Sequence, residues 1–215
     1  MEGSRVRILN LLLQRKQATV DQLSREMGLA SATVRRHLDI LQRDNLVAYQ
    51  QVKKRTGRPE HTYFLTEAGQ EYLPKGYNVM LARLVQKLSG LPPEELGSQS
   101  GDNLLRSLFQ EMAKEALVGS EGLEAQPLDQ RVRKAMAVLE SERFLPRLEE
   151  GPDGLRLRLH NCPFRSVAMG HPAVCEFDQS ILKSLFGNSV VKETSIRNGG
   201  QSCCYLVSAN GASTA

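Results

Sequence analysis

The sequence has few cysteines, no long apolar run and none of the common catalytic motifs. Its apolar stretches fall short of the roughly 18 residues that cross a bilayer. Glu2, Arg5 and Arg7 interrupt the segment that would be apolar in a secretory signal. GxSxG, HExxH, P-loop and dinucleotide-binding glycine patterns do not occur. We therefore expect a cytoplasmic protein with reduced thiols that is not an enzyme.

The net charge of +4 is unevenly distributed over the 215 residues. Residues 1–75 hold 13 Lys and Arg against 8 Asp and Glu, whereas the remainder holds 15 against 16. A basic surplus confined to one end indicates a nucleic-acid-binding module joined to a near-neutral one.

The N-terminal third has the pattern of a helix-turn-helix. After an apolar first helix in SRVRILNLLLQRKQ, Thr19 is a good N-cap for a short helix that stops at Gly28. In ASATVRRHLDILQRDNLV, Ser31 is the expected N-cap, and Val34, Leu38 and Leu41 form an inward stripe. This second helix is the predicted recognition helix. Its predicted DNA-facing residues are Ser31, Thr33, Arg35, Arg36 and Arg43.

The next segment, LVAYQQVKKRTGRPEHTYFLT, alternates like a β-hairpin with strands near 46–52 and 61–65. A basic hairpin tip beside a recognition helix is a wing, whose cations suit phosphates or the minor groove. These cations are Lys53, Lys54, Arg55 and Arg58. His37 and His61 are interpreted as DNA-facing or structural. The alternatives are that the charges only solvate a small helical domain, or that the winged helix serves an interaction other than DNA binding.

Apolar helices fill residues 77–142 between proline- and glycine-rich breaks. In NLLRSLFQEMAKEAL, Leu104, Leu108 and Met112 share one face. One winged helix makes few DNA contacts, and paired half-sites require a two-fold partner. We therefore predict that this stripe lies in or beside a dimer interface. The alternative is that these helices pack only within their own subunit.

All four cysteines lie at or after position 162. Cys162 is expected to close a strand in LRLRLHNC, Cys175 to lie early in a helix between Pro172 and Gly187, and Cys203 and Cys204 to open the last strand. Ends of separate elements can converge, as thiolate ligands of a metal must. The chain lacks the CxxC and HxxxH knuckles typical of zinc, so the spacing favours a larger cofactor. Buried, inert cysteines are the alternative.

Several segments resemble the SufR family of DeoR-type winged-helix repressors. They are ATVRRHLDILQRDNLV, GRPEHTYFLTEAG and, most specifically, NCPFRSVAMGHPAVC with the later SIRNGGQSCCY. The resemblance covers roughly residues 4–76 and 155–206. It implies an iron–sulfur cluster, control of iron–sulfur cluster assembly genes, and repression by the cluster-bound dimer.

The resemblance also implies a set of cysteine ligands. Cys162 and Cys175 match the family's interval of 12 residues between its first two cysteines, but Ser189 stands where a third cysteine is expected. Cys203 and Cys204 both fit the last position, and Cys162, Cys175 and Cys203 are the predicted core ligands. The fourth ligand stays open among Cys204, His160, His171, Ser189 and a non-protein ligand.

The sequence thus predicts an α+β protein with an N-terminal winged helix-turn-helix (1–76), a central helical dimerisation region (77–142), a small C-terminal α+β cluster-binding domain (143–208) and a flexible tail (209–215). The expected partners are a double-stranded DNA operator and a second copy of the chain. The expected cofactor is a [4Fe-4S] rather than a [2Fe-2S] cluster. Two alternatives are a metal-free redox switch, through a Cys203–Cys204 or Cys162–Cys175 disulfide, and a regulator that binds a small molecule in an apolar cavity.

Overall fold

A computed structural model describes residues 3–52, 59–97, 99–119, 122 and 125–208. The chain forms two compact units, Met1–Pro74 and Lys75–Ala215. The predicted wing-tip cations Lys53, Lys54, Arg55 and Arg58, and the predicted flexible tail, lie outside the described residues. Within the described ranges, no helix is both long and apolar enough to span a bilayer.

The first unit combines helices with a small antiparallel sheet. Its helices are α1 (Ser4–Arg15), α2 (Val20–Met27), α3 (Ser31–Arg43) and α4 (Glu67–Tyr72). Its sheet has the order β1–β3–β2, with β1 (Ala18–Thr19), β2 (Val47–Val52) and β3 (Glu60–Leu65). The predicted hairpin is formed by β2 and β3, whereas the two-residue β1 was not predicted.

Local capping explains where the two helices of the helix-turn-helix begin. Thr19 forms a full capping box with Gln22, in which its hydroxyl accepts from the Gln22 amide at 3.3 Å and its own amide donates to the Gln22 side chain at 2.9 Å. The prediction of Ser31 as N-cap is wrong. The extended residue before α3 is Ala30, and Ser31 is the first helical residue, with its hydroxyl 3.4 Å from that of Ser24.

The second unit places helices on one face of a four-stranded sheet. The helices are α5 (Tyr77–Ser89), α6 (Pro93–Gly97), α7 (Gly101–Ala116), α8 (Leu128–Ser141), α9 (Arg165–Gly170) and α10 (Glu176–Phe186). The antiparallel sheet has the order β4–β5–β7–β6, with β4 (Pro146–Gly151), β5 (Gly154–Leu159), β6 (Val190–Thr194) and β7 (Cys203–Ser208). The predicted α+β class with an N-terminal winged helix-turn-helix is confirmed.

The helices of 77–142 and the sheet of 143–208 share one hydrophobic core. Phe109 and Met112 of α7 pack with Phe177 of α10 and Leu157 of β5 in that core. Leu108 and Met112 of the predicted interface stripe are 3% and 0% exposed within their own subunit, so their side chains are not available to contact a second copy. That the stripe lies beside a two-fold interface stays a prediction. Helix α10 packs against α7 and covers the apolar stripe for which the sequence analysis had named no partner within the subunit.

Helix α5 carries the exposed apolar stripe instead. Leu81, Val85 and Leu88 follow at i, i+4 and i+7, and they are 62%, 54% and 43% exposed. Only Met80 of this helix is fully buried. Large apolar side chains aligned on one exposed helix face are typical of an interaction surface rather than of solvated surface.

Candidate DNA-binding surface and thiol site

The recognition helix α3 presents its polar side outward because its apolar side is fixed in the core. Val34, Leu38 and Leu41 are 0%, 0% and 2% exposed. The opposite side of α3 bears the predicted contact residues Thr33, Arg35, Arg36 and Arg43, all exposed, whereas Ser31 is half-buried. The arginines therefore form an outward basic face on the helix that the motif directs into the major groove.

The outer residues of α3 differ in how freely their side chains can move. The Arg43 guanidinium donates to the carbonyl of Asp39 at 3.4 Å. Arg36 makes no hydrogen bond or ion pair with any part of the chain that the structure describes. Its fork of N–H donors is therefore available for a base edge.

Both histidines of this unit are half-buried. The His61 ring stacks on Tyr49 across the hairpin, with centroids 4.2 Å apart. Its Nε2 lies 3.3 Å from the side-chain amide nitrogen, Nε2, of Gln51. His37 is half-buried on the flank of α3.

Strand β7 separates the two adjacent cysteines by its pleat. Cys203 and Tyr205 face the core under the helices, whereas Cys204 points to the other face of the sheet. There the Cys204 thiol donates to Glu193 at 3.4 Å, beside the Arg158–Glu149 pair. The structure therefore does not bring Cys204 together with the other three thiols.

Cys162 and Cys175 lie on the same side as Cys203. Because Leu159 pairs with Cys203, the chain leaving β5 toward Cys162 starts beside Cys203. Cys162 lies three residues beyond β5 rather than at its end. Cys175 ends a 3₁₀ turn (Pro172–Cys175) and precedes α10. Both are partly buried against the core that contains Cys203, and the charge of Cys203 acts on each of them, so three elements bring one thiol each to the same side of the sheet.

Burial sets the protonation of these thiols. It raises the pKa of Cys162 to about 12 and that of Cys175 to about 11, and it also raises the pKa of Cys203. The thiols also raise one another's pKa, since the negative charge of one acts on the next. In the metal-free protein all three are therefore neutral at physiological pH.

Backbone amides point at two of the three sulfurs. The Ile196 amide lies 3.5 Å from the Cys203 sulfur, and the Phe164 amide donates to Cys162. The loop that carries Ile196 is closed by a turn in which Gly199 has φ +82 and the Gly200 amide donates to the Ser195 carbonyl at 2.9 Å. A Cβ on Gly200 would stand 2.7 Å from that carbonyl oxygen, so the turn requires glycine there.

A buried polar group that the sequence analysis did not single out lies beside the thiols. Asp178 of α10 is 6% exposed and accepts a hydrogen bond from the Tyr205 hydroxyl. Lys192 of β6 lies 3.6 Å from the same carboxylate oxygen and 5.0 Å from the centre of the Tyr205 ring. The signal for Asp178 was its place on the apolar stripe of α10, with Ile181, Leu182 and Leu185 at i+3, i+4 and i+7.

The other open ligand candidates lie elsewhere. His160 is 8% exposed, and its pKa is lowered by burial and by Arg147 and Arg158, which places it near the charged face of the sheet. His171 is exposed. Ser189 precedes Val190, which pairs with Val207. Val207 lies four residues beyond Cys203 along β7, a distance of about 13 Å.

Comparison with known proteins bears on the N-terminal unit. The sequence model of the arsR family of bacterial regulatory proteins matches residues 2–49. A comparison with curated proteins gives no match. Among solved structures, the chain is similar to Bacillus subtilis PadR in its crystal structure with operator DNA, at 14% identity and a TM-score of 0.29 over 84% of this chain and 94% of that chain. With the regulatory-protein match falling on α1, α2 and α3, the chain is a DNA-binding transcriptional regulator.

Proposed function

We propose that the chain is a repressor of iron–sulfur cluster assembly genes that senses iron or redox status through a cluster held by Cys162, Cys175 and Cys203. The convergence of these three thiols, each from a different element, on one buried face carries the proposal. The resemblance of NCPFRSVAMGHPAVC and its later cysteine segment to the SufR family supports the choice of regulated genes. Anaerobic reconstitution, followed by iron and sulfide analysis and visible spectroscopy, tests the cofactor directly.

The donor set fits such a group. Thiolates are the ligands that iron–sulfur clusters take, and amide hydrogen bonds to the sulfurs, as from Ile196, tune their potential. Among the described residues, no three His, Cys, Asp or Glu side chains are close enough together to hold a single metal ion. In a cluster each iron takes its own protein ligand, so the ligands do not have to meet at a single ion. When bound, the cluster supplies a one-electron, oxidant-sensitive centre, and its binding displaces the three thiol protons.

The metal-free redox switch is supported less well. Redox-sensing thiols are exposed and have a lowered pKa, whereas burial raises the pKa of all four cysteines here. Cys203 and Cys204 also point to opposite faces of the sheet. Of the two disulfides considered, only Cys162–Cys175 joins residues on the same side.

A hydrogen-bonded junction links the Cys162 loop to the start of α5. The Lys75 ammonium donates to the Asn161 side chain at 3.1 Å and to the Cys162 carbonyl at 3.2 Å. The Gly76 amide donates to the Pro163 carbonyl at 3.0 Å, where a Cβ on Gly76 would stand 2.9 Å from the Phe164 ring. Lys75 directly follows Pro74, the last residue of the DNA-binding unit. A change in the Cys162 loop therefore acts on the segment that joins the two units.

Removal of one contact of this junction is expected to uncouple sensing from DNA binding. The Tyr77 hydroxyl accepts from the amide of Ser166 at 3.1 Å and from its hydroxyl at 2.8 Å. We expect Tyr77→Phe to keep wild-type iron content. The difference in operator affinity between iron-loaded and iron-free protein should shrink by about 0.5–2 kcal/mol. Fluorescence anisotropy with both forms measures this difference, and Tyr72→Phe, at an exposed tyrosine, is the control. If Tyr77→Phe keeps the full wild-type difference in operator affinity between the iron-loaded and iron-free forms, this junction does not couple the two sites.

We also propose that the regulator is a homodimer, assembled through Leu81, Val85 and Leu88 of α5. A helix-turn-helix reads paired half-sites when a two-fold axis relates two copies. This stripe is exposed in the single chain, whereas the α7 stripe is already covered by α10.

The exposed arginine of α3 gives a direct test of base readout. Arg36→Ala is expected to weaken binding to the cognate operator by about 1–3 kcal/mol, because a bidentate contact to guanine is lost. Lys54→Ala, in the wing-tip sequence outside the described residues, is expected instead to weaken all DNA sequences alike and to lower the salt slope by about one unit. Gel-shift titrations on cognate and scrambled DNA distinguish the two effects. Wild-type operator binding by Arg36→Ala would exclude this residue from direct readout.

A further inference from the structure

The proposed function leaves one ligand position of the cluster unassigned. Cys204 faces the opposite side of the sheet, His160 lies near the charged residues of that side, and Ser189 adjoins the far end of β7. His171 is exposed to solvent. A protein group that completes the site must instead lie on the core side of the sheet, between the elements that carry the three thiols.

Asp178 occupies that place by its position on two elements. It follows Cys175 by three residues at the start of α10, so the two side chains lie on neighbouring positions of one helical face. Its carboxylate bonds the hydroxyl of Tyr205, which follows Cys203 by two residues and shares its face of β7. The carboxylate is thus bracketed by two of the three ligand-bearing segments.

The charge of Asp178 reaches the third thiol as well. Its carboxylate raises the pKa of Cys162, Cys175 and Cys203. On each of these thiols, only burial has a larger influence on the pKa. No other carboxylate acts on all three thiols among the described residues.

Three contacts hold the Asp178 carboxylate. Tyr205 and Lys192 both contact Oδ2, and the Asp178 backbone amide also donates to the carboxylate. Among the described residues, the positive groups that act on this carboxylate and the thiols beside it are Lys192 and, near Cys175, Arg197. Ligation takes the three neutral thiols as thiolates, and four anionic groups with so little compensating charge are unfavourable in a buried site unless a cation joins them. The irons of a cluster supply that positive charge.

We propose that Asp178 is the fourth protein ligand of the cluster, a carboxylate oxygen beside three thiolate sulfurs. This inference rests on the proposed cluster site. Oxygen ligands bind iron–sulfur centres less tightly than thiolates do, because soft sulfur donors match them better. The iron at Asp178 is then the weakest point of the site and the first to be released. Tyr205 and Lys192 act as positioning residues, which hold the carboxylate from its other oxygen.

The test compares full-length variants reconstituted anaerobically with iron and sulfide. Asp178→Ala is expected to release iron to a chelator faster than wild type by about tenfold or more. Asp178→Cys is expected to retain iron at least as long as wild type, with a visible spectrum shifted toward that of all-thiolate ligation. Cys204→Ser and His171→Ala are the matched controls, and both are expected to behave as wild type. Asp178→Asn keeps an oxygen for the Tyr205 hydroxyl, and it replaces the alanine variant if that protein fails to fold by circular dichroism.

The outcomes separate the inference from the proposed function. If wild type takes up a cluster, and Asp178→Ala or Asp178→Asn holds iron equally long with an unchanged spectrum, the ligand assignment is wrong while the cluster stands. If His171→Ala shows the accelerated release instead, the fourth ligand is His171. If folded wild type takes up no cluster at all, the proposed function fails and the inference fails with it.

Discussion

Replacement of Cys203 by serine is expected to remove the cluster and to weaken operator binding by about 5- to 150-fold, the usual range of coupling between two sites. Serine keeps the size of the side chain but gives up the thiolate that ties the start of β7 to the other two ligands. The same loss is expected for Cys162→Ser and Cys175→Ser, because each thiol comes from a different element. A ligand shifts a conformational equilibrium only when it binds one state better, and joining three element ends provides that preference.

Cys204→Ser is the matched control for this series, since Cys204 adjoins Cys203 but faces Glu193 on the other side of the sheet. We expect it to keep both iron and operator affinity. Iron analysis and gel-shift titration of the four variants, each reconstituted anaerobically, measure both properties. Full iron in Cys203→Ser would overturn the ligand assignment. Equal operator binding by iron-free and iron-loaded wild type would overturn the sensor proposal.

The second large effect is expected at the α5 stripe. Leu81→Asp combined with Val85→Asp places two charges where the proposed interface is apolar, so the chain becomes monomeric at micromolar concentration. Operator affinity should then fall toward the nonspecific level, which lies about 1,000-fold or more below specific binding. Light scattering and gel-shift titration measure the two consequences. The unfolding temperature should change little, because both side chains are exposed in the single chain.

Val191→Asp, on an exposed position of the edge strand β6, controls for the added charge. It is expected to leave both assembly and operator binding intact. A monomeric double variant that binds operator as tightly as wild type would contradict the dimer proposal. A dimeric double variant would exclude the α5 stripe as the interface.

Helical periodicity and turn chemistry predicted the helix-turn-helix and the hairpin of the first unit, but neither strand β1 nor the N-cap of α3. The stripe of Val34, Leu38 and Leu41 and the stop at Gly28 are features of local sequence, and the structure places them as expected. Strand β4, in contrast, escaped prediction because most of PRLEEG is exposed and shows no apolar alternation. A strand held by backbone pairing to one neighbour leaves little trace in hydrophobicity.

Parts of the thiol site could be predicted from the sequence and parts could not. The alternation of side chains along a strand predicts that Cys203 and Cys204 face opposite sides of the sheet, and the structure places them so. Neither the partner of α7 nor the surroundings of Asp178 could be inferred, because both depend on how α10 packs across elements distant in sequence. An acidic residue on the apolar stripe of α10 was the one local sign, and it carries no information on what it contacts.

The two hydrophobic cores share no residue. Helix α3 is anchored in one core by Val34, Leu38 and Leu41, whereas Cys162, Cys175 and Cys203 lie in or against the other. Mutations on the outer face of α3 can therefore accumulate without disturbing the interior that holds the thiols, and the reverse also holds. Recombination at the Pro74–Lys75 boundary can exchange either unit between regulators without opening the interior of the other.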